Sequence, residues 1–484
     1  MDSSSLPAMQ SQPGSLPDCP AEMLRAIFES VSRADLQSLC LTCRAIRPHA
    51  EALLYSRVDL VWLDEIPPIL LLLRTILARP DLAKHVKTVD LSGDLTQTVP
   101  RFTHYSALPR LQVSPAELGR PIAFVEALGL PAGSKWVEEL RSGAMDAFVA
   151  VFLSQLCNVQ TLAISGNFSR HVYFVGEVFR SALCGSRAHG LPSFEYLRQV
   201  SIRKLKDPDE NGNGQTRNTE SLIPLFYLPG VEDMTLAFDN PLSKSRNDFA
   251  PLEWPGPERP VPSRLKTLNL TLVREPYLGQ LLSVTTEIES LTWEWYYEED
   301  SQDNVIKPVV DLDHVINALS HMRASLKCLT ISALTGRKGF AIEEPPIEVT
   351  GSLQALSEFT ALRRLQIPLP FLAASLSPHR ARPLASSLPR NLENLIIKTD
   401  FPDQSDIGAL WDTGEYEWTG LTLVRALRLW LRDLKNSTPY LRGFHLIVSG
   451  PNYLEWASEM ADEVVQLGNE AGIHTQITLD GYHS

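Results

Sequence analysis

After residue 60 one short arrangement of apolar and polar positions keeps returning: apolar, two residues, apolar, one residue, apolar. It occurs at Val86-Val89-Leu91, Val159-Leu162-Ile164, Leu197-Val200-Ile202, Val231-Met234-Leu236 and Leu265-Leu268-Leu270. It returns at Ile288-Leu291-Trp293, Leu326-Leu329-Ile331, Leu362-Leu365-Ile367, Leu392-Leu395-Ile397 and Leu441-Phe444-Leu446. Most successive copies start 30 to 38 residues apart. The last two apolar positions of a copy alternate, so they point to one face of a strand and the residues between them to the other. Segments of helical spacing lie between the copies, among them 144–156, 175–188, 221–227, 277–284, 312–321, 421–435 and 454–468. Strand, helix, strand at this interval predicts parallel pairing with crossover helices. Many repetitions predict an α/β solenoid with parallel strands and outer helices over residues 61–484. Loop insertions are expected at 98–142, 206–220 and 239–263, with shorter loops at 335–350 and 373–390.

A different pattern precedes the repeat. Residues 16–60 read as three short amphipathic helices. Pro20 suits a first helical position, and Met23, Leu24, Ile27, Phe28 and Val31 recur at helical spacing. Asp35 is expected to cap a second helix with Leu36, Leu39 and Cys43 on one stripe, and Pro48 to open a third. Units below about 70–80 residues rarely stabilise themselves with one core. Such a unit is expected to lean on a neighbour or a partner. Residues 1–15, rich in Ser, Pro and Gln, are expected to be a disordered tail and not a signal peptide.

Composition narrows the function. The formal net charge is −13, and residues 61–484 carry −11 of it. An acidic body argues against nucleic-acid binding, which requires Lys and Arg to neutralise phosphates. Six cysteines among 484 residues form no disulfide framework, and the lone Cys40-x-x-Cys43 lacks the second ligand pair of a metal site. No cofactor is expected. The most apolar stretch, 66–73, contains Pro67 and Pro68 and falls short of the ~20 residues a membrane span needs. The expected compartment is reducing, cytoplasmic and/or nuclear. No nucleophile elbow, zinc-protease pair or phosphate loop is present, so the chain is not expected to be an enzyme.

The N-terminal order carries a resemblance. Leu16-Pro17, then Pro20-x-Glu22-Met23-Leu24, Ile27-Phe28, Asp35-Leu36-x-x-Leu39, Leu41-Thr42-Cys43-Arg44 and Leu54-Tyr55-x-x-Val58 together resemble an F-box of the fungal kind. At the second Leu-Pro of that pattern this chain has Cys19-Pro20. The repeated apolar pattern resembles the strand half of a leucine-rich repeat, in units longer than the usual 20–29 residues and without the usual Asn. Fungal F-box proteins often carry such an irregular repeat. The resemblance implies that Leu16, Pro17, Pro20, Met23, Leu24, Ile27, Phe28, Leu36 and Leu39 bind the SCF adaptor protein, and through it a cullin. The chain would then be the non-catalytic substrate-recognition subunit of an SCF-type ubiquitin ligase. Two alternatives stay open: an F-box scaffold outside any ligase, and an enzyme with a site in its loops.

A protein target would be read by the polar residues between the buried strand positions. Charged candidates are Arg198, Glu232, Lys266, Glu294, Lys327, Arg363, Arg364, Glu393 and Arg442. The aromatic run Trp293, Trp295, Tyr296 and Tyr297 is expected to be mainly core, with an interface as the second reading. Arg425, Arg428, Arg432 and Lys435 are expected on a solvated helix face.

Overall fold

The computed structural model describes residues 16, 19–63, 65–93, 110–185, 190–203, 217–241, 251–298, 305–336, 347–399, 418–448 and 456–480. The chain opens with three helices, α1 (Ala21–Glu29), α2 (Arg33–Thr42) and α3 (Arg47–Leu54). Pro20 is the residue before α1 and not its first helical residue. The cap of α2 is Ser32, whose hydroxyl accepts from the Asp35 amide at 3.2 Å and donates to its carboxylate at 2.7 Å. Asp35, expected as the cap, therefore sits one turn inside, where a carboxylate meets the positive helix start.

Twelve strands form one wholly parallel sheet whose spatial order follows the chain. They are β1 (Arg57–Val61), β2 (Thr88–Ser92), β3 (Thr161–Ser165), β4 (Gln199–Arg203), β5 (Asp233–Ala237), β6 (Thr267–Thr271) and β7 (Ser290–Glu298). After the short β8 (Val309–Asp311) comes β9 (Cys328–Gly336), and after the short β10 (Glu348–Thr350) come β11 (Arg364–Pro368) and β12 (Asn394–Lys398). The last two are β13 (Gly443–Val448) and β14 (His474–Leu479). β8 and β10 pair with each other as a separate two-stranded sheet.

All ten copies of the sequence pattern are strands of the large sheet, and they align in one register. Val89, Leu162, Val200, Met234, Leu268 and Leu291 pair in succession, followed by Leu329, Leu365, Leu395 and Phe444. Each of these is at most 1% exposed. The third apolar position of each copy forms a parallel row two residues on, so two rows of buried side chains cross the sheet. Helices supply the other side of this core. Met145–Leu153 buries every residue but Asp146, and Tyr173–Leu183, Glu275–Leu282, Leu312–Leu319 and Gly420–Arg432 each bury one stripe. The opposite face carries half-buried residues such as Asp90, Ser201, Thr235, Asn269, Thr292, Thr330 and Gln366.

Two expectations change. The first strand is β1, which lies across the expected boundary at residue 60 and pairs Val58 with Val89. The expected insertion at 98–142 is, over its described residues, largely helical, with Pro115–Leu128 and Gly133–Ser142. Its Val125, Trp136 and Leu140 join the main core, and the Trp136 indole donates to the Ala147 carbonyl at 2.9 Å. Ser114 caps the first of these helices and Glu117 closes a capping box with it. Most of the 206–220 expectation and residues 242–250 of the 239–263 expectation lie outside the described residues.

A buried ion pair braces the middle of the sheet. Arg274 and Glu275 follow β6, have side chains 2% and 3% exposed, and meet at 2.7 Å. The guanidinium also donates to the carbonyls of Tyr296 (3.2 Å), Lys307 (3.1 Å) and Val309 (2.8 Å). Glu275 accepts the Trp295 indole N–H at 2.9 Å. The extended end of β7 and the segment entering β8 are thereby joined to the helix Glu275–Leu282. Breaking a buried pair leaves an uncompensated charge and costs about 3–5 kcal/mol. Glu275→Ala should destabilise the protein by that order in urea unfolding, and Arg274→Met/Glu275→Met should cost less.

Asp146 performs a related task with one charge. Its carboxylate accepts from the amides of Phe174 (2.7 Å) and Val175 (3.3 Å) at the start of the next helix. Loss of water pushes this carboxyl up to about 7, against those amides, which favour its charged form. Between the ordinary value of 3.8 and about 7 the folded chain holds a proton that the unfolded chain has released. Stability from this group therefore falls as pH rises through that window. Asp146→Asn should flatten that part of the stability–pH curve, measured as urea midpoints from pH 4 to 7.5.

Candidate functional site

Two surfaces stand out, and the first is on the N-terminal helices. Leu24, Phe28, Leu36, Ile46 and Ala50 form a small core of their own, separate from the core under the sheet. On α1 the pair Leu24 and Phe28 is one helical turn apart and buried, at 2% and 1% exposure. The pair Met23 and Ile27 has the same spacing one residue earlier and stands exposed, at 55% and 41%. One nine-residue helix thus carries two apolar stripes, one holding the unit together and one facing outward.

This divides the residues expected to meet a partner. Leu24, Phe28 and Leu36 are internal, and Leu39 is half-buried against them. Leu24, Phe28 and Leu36 support the outer surface from inside, and Leu39 is partly exposed beside it. Leu16, Pro20, Met23 and Ile27 are exposed, and Leu41 at the end of α2 is 88% exposed. Pro17 lies outside the described residues.

The helical unit is joined to the sheet by charge. Glu51 on α3, itself 8% exposed, accepts both Arg79 guanidinium nitrogens at 2.7 and 2.9 Å, and Arg47 at 2.8 Å. Arg79 ends the helix Ile69–Ala78, which belongs to the main core, and also binds Asp81 at 2.8 Å. A second tie runs from the Arg33 guanidinium to the Arg57 carbonyl at 3.1 Å, where β1 begins. The Arg79 hydrogen bond holds the Glu51 carboxyl below its ordinary value, in spite of burial. Its contribution is therefore present above the ordinary carboxylate value and is lost as pH falls through the lowered one. Arg79→Ala, which leaves the buried Glu51 with only Arg47, should lower the melting temperature by several degrees at pH 7 and by less at pH 3.5.

The second surface runs along the strand starts. In each unit the residue just before the strand continues the backbone ladder. The Glu232 amide donates to the Arg198 carbonyl, Lys266 to Glu232, Glu289 to Lys266 and Lys327 to Glu289. Arg363, Glu393 and Arg442 extend the series, each donating to the one before. The side chains of this row alternate in sign over much of its length and pair with one another. Arg198 meets Glu232 at 3.6 Å, Glu289 takes Lys266 at 3.6 Å and Lys327 at 2.6 Å, and Arg363 meets Glu393 at 3.5 Å. Lys327 is the main reason the Glu289 carboxyl lies below its ordinary value.

Seven of the nine expected target-facing residues belong to this row. The other two are on strands: Arg364 at the exposed start of β11 and Glu294 within β7. Burial raises the Glu294 carboxyl, with Lys398 opposing the shift. Burial likewise raises Asp233 on β5 and lowers His445 on β13. Trp293, Trp295, Tyr296 and Tyr297 are all buried, and the Arg274 guanidinium lies 4.9 Å from the centre of the Trp295 ring. On the helix Gly420–Arg432, Arg428 binds Glu463 of the helix Ser458–Ala471, whereas Arg425 and Arg432 are exposed.

The Arg274–Glu275 brace and the Glu51–Arg79 tie have no counterpart among the sequence expectations. The first is two ordinary charges beside Pro276, and the second joins residues 28 positions apart. Among the described residues no group of three or more His, Cys, Asp or Glu side chains could hold a metal ion, and no helix is long and apolar enough to cross a membrane. No family model matches the chain, and no curated protein matches it.

Proposed function

We propose that this chain is a substrate-recognition subunit of an SCF-type ubiquitin ligase. Its N-terminal helices act as an F-box that docks on the adaptor protein, and its α/β repeat acts as a leucine-rich-repeat solenoid that holds a protein target. The chain supplies no catalytic group. It raises the effective concentration of a target near the activated ubiquitin carrier that the cullin assembly provides.

The observation that carries the reading is the outward stripe of Met23 and Ile27, flanked by Leu16 and Pro20, on a unit tied to the sheet by Glu51 and Arg79. A helix that already buries Leu24 and Phe28 gains nothing in stability from a second apolar stripe left exposed among the described residues, and buried apolar contact drives most association. A charge-tied join between that stripe and the sheet suits a protein that must present cargo at a defined position.

Binding to purified adaptor protein tests the proposal. Met23→Asp/Ile27→Asp should weaken binding at least tenfold while leaving the melting temperature unchanged. Leu24→Asp should instead lower the melting temperature, because it buries a charge in the small core. Absence of adaptor binding by the intact protein overturns the reading. Adaptor binding without recruitment of the cullin would favour an interaction scaffold outside the ligase.

A further inference from the structure

The alternation of charge along the strand starts breaks at one place. Lys327 and Arg363 occupy successive positions with the same sign, and the Arg363 amide donates to the Lys327 carbonyl at 2.8 Å. Like charges on neighbouring strands destabilise a sheet. The nearby carboxylates are already engaged, Glu289 by two lysines and Glu393 by Arg363. Arg364 and Arg442 are exposed and have no ion pair among the described residues. A surplus of positive charge therefore collects at the starts of β9 to β13, in a protein whose net charge is −13.

We propose that this edge binds an extended anionic segment of the target protein, with Arg364 and Arg442 as its two free anchors. The inference rests on reading the sheet as the target-holding part of the chain. Arg364 opens β11 and Arg442 immediately precedes β13, two strands on, a backbone separation of roughly 10 Å. An extended peptide covers that distance in about three residues. An arriving anion would also relieve the repulsion between Lys327 and Arg363, so the edge gains from occupancy what it lacks when empty. Arginine suits the role because its planar guanidinium pairs with either a carboxylate or a phosphate through two hydrogen bonds.

Fluorescence anisotropy with labelled peptides tests this on the full chain. One probe is a peptide of eight glutamates, and the other is a peptide of equal length with phosphoserine at every third position between glycines. At least one should bind at low salt and weaken as salt is raised. Whichever binds tighter identifies the source of the charge, and either result supports the edge. Arg364→Glu/Arg442→Glu should weaken binding at least tenfold, and Arg364→Gln/Arg442→Gln should weaken it less, both with an unchanged melting temperature. Arg120→Glu/Arg141→Glu, an equal charge change on the distant helices that contain those exposed residues, should leave binding within twofold. Equal weakening by the two Glu pairs, or no binding of either peptide, overturns the proposal. The measurement involves no adaptor, so its failure is separate from failure of the N-terminal interaction.

Discussion

Everything in this protein hangs on keeping two rows of apolar side chains in step across a parallel sheet. A strand that slips by one residue exchanges its buried and open faces. Burying one large apolar side chain stabilises by about 1.5–3 kcal/mol, so a slipped strand would lose several such contributions at once. The in-step rows settle where the other parts go. Helices must return over the apolar face, and polar residues are left on the other. Charges collect at the strand starts, where neighbouring units lie close enough for Arg198 and Glu232, or Lys266 and Glu289, to answer one another.

Where burial is complete the pattern was legible, and where burial fades it was not. The ten central strands repeat two fully buried positions, and each could be located from sequence. β14 has Thr475 and Ile477 at the corresponding positions, both only half-buried, because it forms the edge of the sheet. The edge of a sheet asks less of its residues, so the pattern thins there. β1 does carry a matching Tyr55-Val58-Leu60, but its first position closes α3, so the pattern runs on from the N-terminal helices without a break. β8 and β10 have three residues each, too few to show a period. In 98–142 the prolines suggested loops, whereas Ser114-Pro115-Ala116-Glu117 held the counter-signal of a capped helix start.

The candidate surfaces were legible only as lists of residues. Spacing cannot tell Met23 from Leu24, since both lie on apolar stripes of α1; the difference is set by where α3 packs. The charged strand starts read as a mixed polar strip. Their pairing, and the place where pairing fails, depends on which units are neighbours in space. The two ties that fix the arrangement, Glu51 to Arg79 and Arg274 to Glu275, join charges whose burial no local pattern announces.

Because spatial order follows chain order, the sheet is also a ruler. Each strand adds about 4.8 Å, so β11 lies roughly 40 Å from β1 measured along the sheet. The ruler is graduated in whole units. Inserting one strand–helix unit between the helical end and the basic edge would move the two apart by a single step, and deleting one would bring them a step closer, while leaving the chemistry of each intact. Reach and recognition are thus separately adjustable in this architecture, the one by counting units and the other by changing side chains.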